Sequence, residues 1–155
     1  MRFRDKGFTL IELMVSIAVL VVLIAVAIPS FVGIMARSNA DAEISELSRA
    51  LNYARTEAIN RGVPVQVVPV VNNLWTGILN VQVGQVANAA SVLRVMPAMK
   101  DGAVVNVTSV NGPTSNIEFN NLGALNFPTA AVVVGYTRGT QVRRLNVGLN
   151  GRVFQ

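Results

Sequence analysis

From Leu13 to Ile28 the sequence LMVSIAVLVVLIAVAI runs without a charge. With Phe8 to Ile11 it makes a stretch of about 20 residues, enough to cross a bilayer as a helix. A soluble buried helix of this length would normally show a polar stripe, and none is present. Arg2, Arg4 and Lys6 precede the stretch, and the positive-inside tendency keeps that end in the cytoplasm and sends the remainder across. Ala25, Ala27 and Ser30 lead on into helical sequence rather than into a signal-peptide cleavage site, so the apolar segment is expected to stay in the protein. Glu12 breaks the pattern. A carboxylate at the centre of a membrane helix costs about 2.5–3.5 kcal/mol, so it calls for a cationic partner. A cut between Gly7 and Phe8 would create one, the new amino group of Phe8, in the same chain or in a neighbour's.

Of the 155 residues 52% are hydrophobic and 14% charged, with the apolar excess near the amino terminus. One anchor followed by one small globular part is the expected organisation. There is no cysteine and no histidine. That removes thiol nucleophiles, imidazole bases, zinc-type sites and the usual triads, so no catalytic residue, metal site or cofactor is expected. Asp101 and Glu118 could be imagined as an acid and base, but exposed acids are the ordinary explanation. The formal charge is +5, of which Arg2, Arg4 and Lys6 against Asp5 supply +2. A chain beginning at Phe8 is therefore mildly basic, which permits a polyanion partner without demanding one.

Pro29 removes one helix hydrogen bond and Gly33 adds local softness, so a kink is expected there, either tolerated by packing alone or used as a hinge. Beyond them Ala40, Ile44, Leu47, Leu51, Ala54 and Ala58 recur at spacings of four and three, the face of an amphipathic helix that covers a sheet. Glu57 with Arg61 and Glu46 with Arg49 have the spacing of solvated helix pairs. Gly62 and Pro64 stop the helix, giving a rod from Phe8 to Arg61 of about 80 Å at 1.5 Å per residue. Afterwards the periodicity becomes β-type, over Val63 to Val70, Ile78 to Val83, Ser91 to Met96, Ala103 to Val110, Asn116 to Phe119, Ala131 to Tyr136 and Val142 to Leu149. The expected divisions are a leader at 1–7, a transmembrane helix at 8–29, its amphipathic continuation at 30–61 and an antiparallel β head at 62–155.

The segment Lys6-Gly7-Phe8-Thr9-Leu10-Ile11-Glu12-Leu13 resembles the type IV prepilin cleavage and methylation signature. The resemblance implies that a prepilin peptidase cuts between Gly7 and Phe8 and N-methylates Phe8, and that Glu12 guides docking of a new subunit onto the filament. Pilin-like proteins similarly carry a proline at the place of Pro29, and the resemblance implies that Pro29 and Gly33 serve as a hinge. Tyr53 to Ile59, Trp75-Thr76-Gly77 and Gly151-Arg152 resemble the GspH/FimT (FimU-like) group of minor pilins and pseudopilins. Ile78 stands where relatives often carry a second tryptophan, and the disulfide of some members has no counterpart.

The implied fold is α+β and pilin-like: a long amino-terminal helix packed on a carboxy-terminal antiparallel β head. The implied role is structural, a minor pilin of a type IV pilus that initiates or caps assembly, with a type II secretion pseudopilin as the alternative. Implied partners are other pilins or pseudopilins in a helical filament, the prepilin peptidase and an inner-membrane assembly platform. Implied placement is a single pass through the bacterial inner membrane, amino terminus cytoplasmic and head periplasmic. Some FimT-like pilins take up DNA through a tail resembling Gly-Arg-any-Arg. Here Arg143, Arg144 and Arg152, with Arg138, are the candidate DNA contacts, but Phe154 stands where the second tail arginine would be, and adjacent Arg143 and Arg144 point to opposite faces of a strand. Trp75 is expected in the core or at a sheet edge.

Overall fold

Among the described residues one helix, α1, runs from Leu10 to Arg61, and its assignment continues through Pro29 and Gly33. The structure is a computed structural model that describes residues 7–84 and 90–155; the expected leader positions 1–6, with Arg2, Arg4 and Lys6, lie outside the described residues. The chain divides into two compact units, one ending at Arg37 and one running from Ser38 to Gln155.

In the first unit the apolar side chains of α1 are exposed, from Leu10 at 75% and Ile11 at 71% to Val32 at 61%. The helix is long and apolar enough to cross a membrane by length and composition. Phe31, Val32, Ile34 and Met35 are exposed as well, and the first fully buried helix position is Ala40. The amphipathic packing that begins there uses Ala40, Ile44, Leu47, Leu51, Ala54 and Ala58, joined by Ala50 on the same face. Each large member contributes about 1.5–3 kcal/mol through removal from water. Gly62 ends the helix with a φ of 68°, the left-handed C-terminal conformation that costs other residues a Cβ clash.

The second unit adds ten strands among the described residues: β1 Val65–Pro69, β2 Leu79–Val83, β3 Val92–Met96, β4 Ala103–Ser109, β5 Gly112–Pro113, β6 Ile117–Phe119, β7 Leu125–Phe127, β8 Val132–Arg138, β9 Gln141–Val147 and β10 Val153–Phe154. They form two sheets, ordered β3-β2-β1-β6-β7 and β10-β9-β8-β4-β5, and every pairing between them is antiparallel. Alternation sets the inner faces. Val132, Val134 and Tyr136 point inward along β8, and Leu145 and Val147 along β9. With Val65, Val67, Leu79, Val81, Ile117 and Phe119 of the first sheet and the α1 stripe they make one core. Each of the seven β-type runs overlaps a strand, with β8 running two residues past its run to Arg138 and β9 starting one residue earlier at Gln141, while β5, β7 and β10 are additional. The loop between β1 and β2 brings in Trp75, 3% exposed, whose Nε1–H donates to the Thr114 carbonyl at 3.0 Å. It is a core aromatic with its polar edge satisfied.

Candidate functional site

Gly7 and Phe8 lie just ahead of α1, and Phe8 is 79% exposed. Thr9 and Glu12 then form a reciprocal cap. The Thr9 backbone N–H donates to Glu12 Oε2 at 3.3 Å, and the Glu12 backbone N–H donates to Thr9 Oγ1 at 3.3 Å. The Thr9 hydroxyl also donates to Glu12 Oε2 at 3.3 Å. This is a capping box, which satisfies helix N-terminal donors that have no intrahelical acceptor. The spacing Thr9-Leu10-Ile11-Glu12, T-x-x-E before an apolar run, carries that signal in the sequence. Ser16 Oγ donates to the Glu12 carbonyl at 2.7 Å, folding a polar group back onto the helix. Between Phe8 and Arg37 the sequence has one charge, Glu12. One face-independent apolar surface with one carboxylate near its start is thus offered to the surroundings.

The head is tied to the second half of α1 by polar contacts as well as by the stripe. Glu43 Oε2 accepts from the Tyr136 hydroxyl at 2.7 Å, and its Oε1 accepts from Arg138 Nη1 at 3.1 Å and the Lys100 backbone N–H at 3.1 Å. Burial first, and the Glu43 carboxylate second, push the Tyr136 phenol up to about 12. Glu46 pairs with Arg49 at 2.8 Å and with Arg94 of β3 at 2.6 Å. The hydrogen bond from Arg49 above all holds the Glu46 carboxyl below its usual range, against the opposing effect of burial. Glu57 and Arg61 pair at 2.5 Å. Both expected helix pairs therefore form, and Glu46 additionally reaches the sheet.

The four arginines considered for DNA fall in different settings. Arg138 is bound to Glu43 at 3.1 Å and Arg143 to Asp41 at 2.6 Å, both on the helix side of the second sheet. Arg144 is exposed on the opposite face of β9, and Arg152 is exposed beside the Gly148–Gly151 turn. The glycine before Arg152 has a steric reason to be glycine. Gly151 has a φ of 73°, and a Cβ there would sit 1.9 Å from the Gly123 carbonyl oxygen. That same oxygen accepts from Arg55 Nε at 2.9 Å, which links the end of α1 to the carboxy-terminal turn.

Asp101 is exposed just ahead of β4. The expectation of an exposed Glu118 is corrected: it is 7% exposed, on β6, because neighbouring polar side chains of the first sheet cover it.

Residues 43–151 match the family described as type II transport protein GspH, and residues 2–28 match the prokaryotic N-terminal methylation motif. A fimbrial protein of Pseudomonas aeruginosa is 46% identical over 58 residues, 37% of this chain, and the match spans 37% of that protein's length. The fold is similar to that of the type IV minor pilin FimU of Pseudomonas aeruginosa, with a TM-score of 0.64 at 19% identity over 76% of this chain and 88% of that one. It is also similar to the minor pseudopilin EpsH from the type 2 secretion system of Vibrio cholerae, with a TM-score of 0.54 at 14% identity over 75% and 94% of the two chains. The Gly7–Glu12 segment falls inside the methylation motif, while the helix end, Trp75 and the Gly123–Gly151 contact fall inside the GspH match. The chain belongs to the GspH family, matched over residues 43–151, and carries a prokaryotic N-terminal methylation motif ahead of it.

Proposed function

We propose that this chain is a minor pilin of a type IV pilus, starting or capping filament assembly at the bacterial inner membrane. The observation that carries the reading is the motif at Gly7–Phe8 set directly ahead of an exposed apolar helix in which Glu12 is the single charge before Arg37. Prepilin peptidase cleaves between Gly7 and Phe8 and methylates the Phe8 amine. The helix holds the chain in the membrane with its head outside, and passes from lipid into the apolar interior of a filament with little hydrophobic cost. There van der Waals packing and polar contacts select the geometry. Glu12, costly to bury alone, is neutralised by the Phe8 amine of a neighbouring subunit, which fixes register. Pro29 and Gly33 let the helix adapt as it leaves the membrane. The head offers a surface to particular partners among the other pilins and the assembly platform.

Intact-mass spectrometry of the chain recovered from sheared filaments tests this directly. The expected species lacks Met1 to Gly7 and carries one added methyl group; an unprocessed Met1 in incorporated material overturns the reading. The second reading, a pseudopilin of a type II secretion system, is favoured by the GspH match over residues 43–151. Deleting the gene separates the two: loss of surface filaments supports the pilus, and retention of secreted enzymes inside the cell supports the secretion machine.

A further inference from the structure

The outer faces of the two sheets differ in charge. Both sheets turn their inner faces to one core, so the outer faces lie on opposite sides of the second unit. On β4, β8 and β9 alternation turns outward the row Asn106, Gly135 and Arg144. The rows beside it carry Val104 and Val142 on one side and Val133 and Phe154 on the other, all four between 40% and 57% exposed. Arg144 is the one charge that these strands turn outward, since Arg138 and Arg143 are drawn inward onto Glu43 and Asp41. It is exposed, stands beside a glycine, and has no side-chain partner among the described residues.

The first sheet presents the complementary chemistry. Its outer rows are Gln82, Gln66 and Glu118, then Val95, Asn80 and Val68, then Ile78 and Val70, whose backbones are joined by a 2.9 Å hydrogen bond. Glu118 is the one charge among them. A groove of about 510 Å³ opens beside it, with Gln66, Asn116 and Asn126 in the polar wall and Val68 and Phe127 in the apolar wall, and no lysine or arginine lines it. Asn126 Nδ2–H donates to Glu118 Oε1, which holds the carboxylate in place. A carboxylate in a partly apolar wall with no basic neighbour selects a cation. A guanidinium suits this wall best, because its planar fork bonds a carboxylate and amide carbonyls together while its flat side lies on an aromatic ring, here the half-exposed Phe127.

We propose that the head binds a second copy of this chain side by side, the outer face of β4, β8 and β9 in one copy lying on the outer face of the first sheet in the next, with Arg144 entering the Glu118 groove. The valines around Arg144 then meet Val68, Val70, Ile78 and Val95. Like faces are disfavoured, since pairing either face with itself opposes two arginines or two carboxylates. Two different faces meet, so the contact is heterologous and repeats in one direction, as a helical row of heads requires. The inference deepens the filament reading and rests on it for the parallel placement of the heads. Three seven-residue strands cover about 350 Å², under half of the ~800 Å² per partner that a stable soluble complex buries. The contact is therefore weak alone, and anchoring both copies in one membrane supplies the effective concentration.

The chain has no cysteine, so copies with one engineered cysteine each report the contact directly. Two differently tagged full-length chains are co-expressed, one carrying Val142→Cys two residues from Arg144 and one carrying Ser115→Cys on the groove wall, and the membranes are treated with a short bismaleimide. The expected product is a mixed dimer, while either variant expressed alone gives none. Arg144→Glu in the Val142→Cys copy is expected to lower the yield about tenfold or more, and Phe127→Ala in the Ser115→Cys copy to lower it as well. Arg144 is exposed and Phe127 half-exposed, so both variants leave the core intact. Absence of the mixed dimer, a yield indifferent to Arg144→Glu, dimers formed equally by one variant alone, loss of the product on nuclease treatment, or cross-links to another protein only overturns the proposal. Intact mass read on the same membranes keeps the two failures apart. A chain processed at Gly7–Phe8 that gives no mixed dimer sinks this contact alone, and an unprocessed chain that still gives it sinks the filament reading alone.

Discussion

Glu43 shows how much one side chain can settle. It lies three residues after Ala40 and four before Leu47, on the buried stripe itself, where a carboxylate is expensive unless paired. Tyr136, Arg138 and the Lys100 backbone supply the pairing from the head. Glu43→Ala leaves those donors without their acceptor and is expected to cost about 2–3 kcal/mol, read from urea unfolding of the full chain in detergent. The Tyr136 proton adds a pH signature. The folded chain holds it more tightly, up to about 12 against 10.0 for the free phenol. The stability it contributes is therefore complete below about pH 10 and is lost as pH rises through that interval. Tyr136→Phe should remove that alkaline decline, checked by unfolding curves across the same range. Glu46 acts with the opposite sign: its lowered pKa contributes stability above the ordinary carboxylate range that disappears as the solution is acidified. Gly151→Ala combines a left-handed φ of 73° with a Cβ placed 1.9 Å from the Gly123 oxygen. A loss of at least about 2 kcal/mol is expected, visible as a lowered thermal midpoint.

At the level of elements, legibility followed periodicity. The α1 stripe repeats six times in the sequence, and all six positions are buried. Leu47→Ala there should cost about 2–5 kcal/mol, whereas Asn52→Ala on the exposed face should stay within about 0.5 kcal/mol, both by chemical denaturation. The longer strands were equally readable, because Val132, Val134 and Tyr136 alternate with less buried neighbours. The strands β5 and β10, two residues each, are too short for any alternation to register, and β5 also contains Pro113, which reads as a breaker. The polar row of Gln66, Gln82 and Glu118 was illegible for another reason. Alternation correctly assigns it to the outer face, but sequence does not say that the outer face is covered by its own amides. Glu43 was missed because the stripe was read through its apolar members alone. The amino-terminal methylation motif was legible because it is written in adjacent residues and needs no long-range contact.

For the whole molecule, Glu12 carries two roles that one substitution would confuse. It closes the capping box with Thr9 at 3.3 Å, a local task, and in the proposed filament it pairs with a neighbour's Phe8 amine. Loss of filament entry in Glu12→Ala fits either role, because alanine removes both the hydrogen bond and the charge. Glutamine separates them. At this position of a capping box it serves as glutamate does, so Glu12→Gln keeps the helix start while removing the charge that an ammonium group requires. If registration is the role that matters, Glu12→Gln should be processed at Gly7–Phe8 and retained in the membrane, yet enter filaments at least about tenfold less than wild type, close to Glu12→Ala. If the cap is what matters, Glu12→Gln should assemble normally, and Thr9→Val, which removes the partner hydroxyl without touching the charge, should reproduce the alanine defect. Quantitative immunoblotting of sheared filaments against membranes, for the three variants side by side, distinguishes the outcomes.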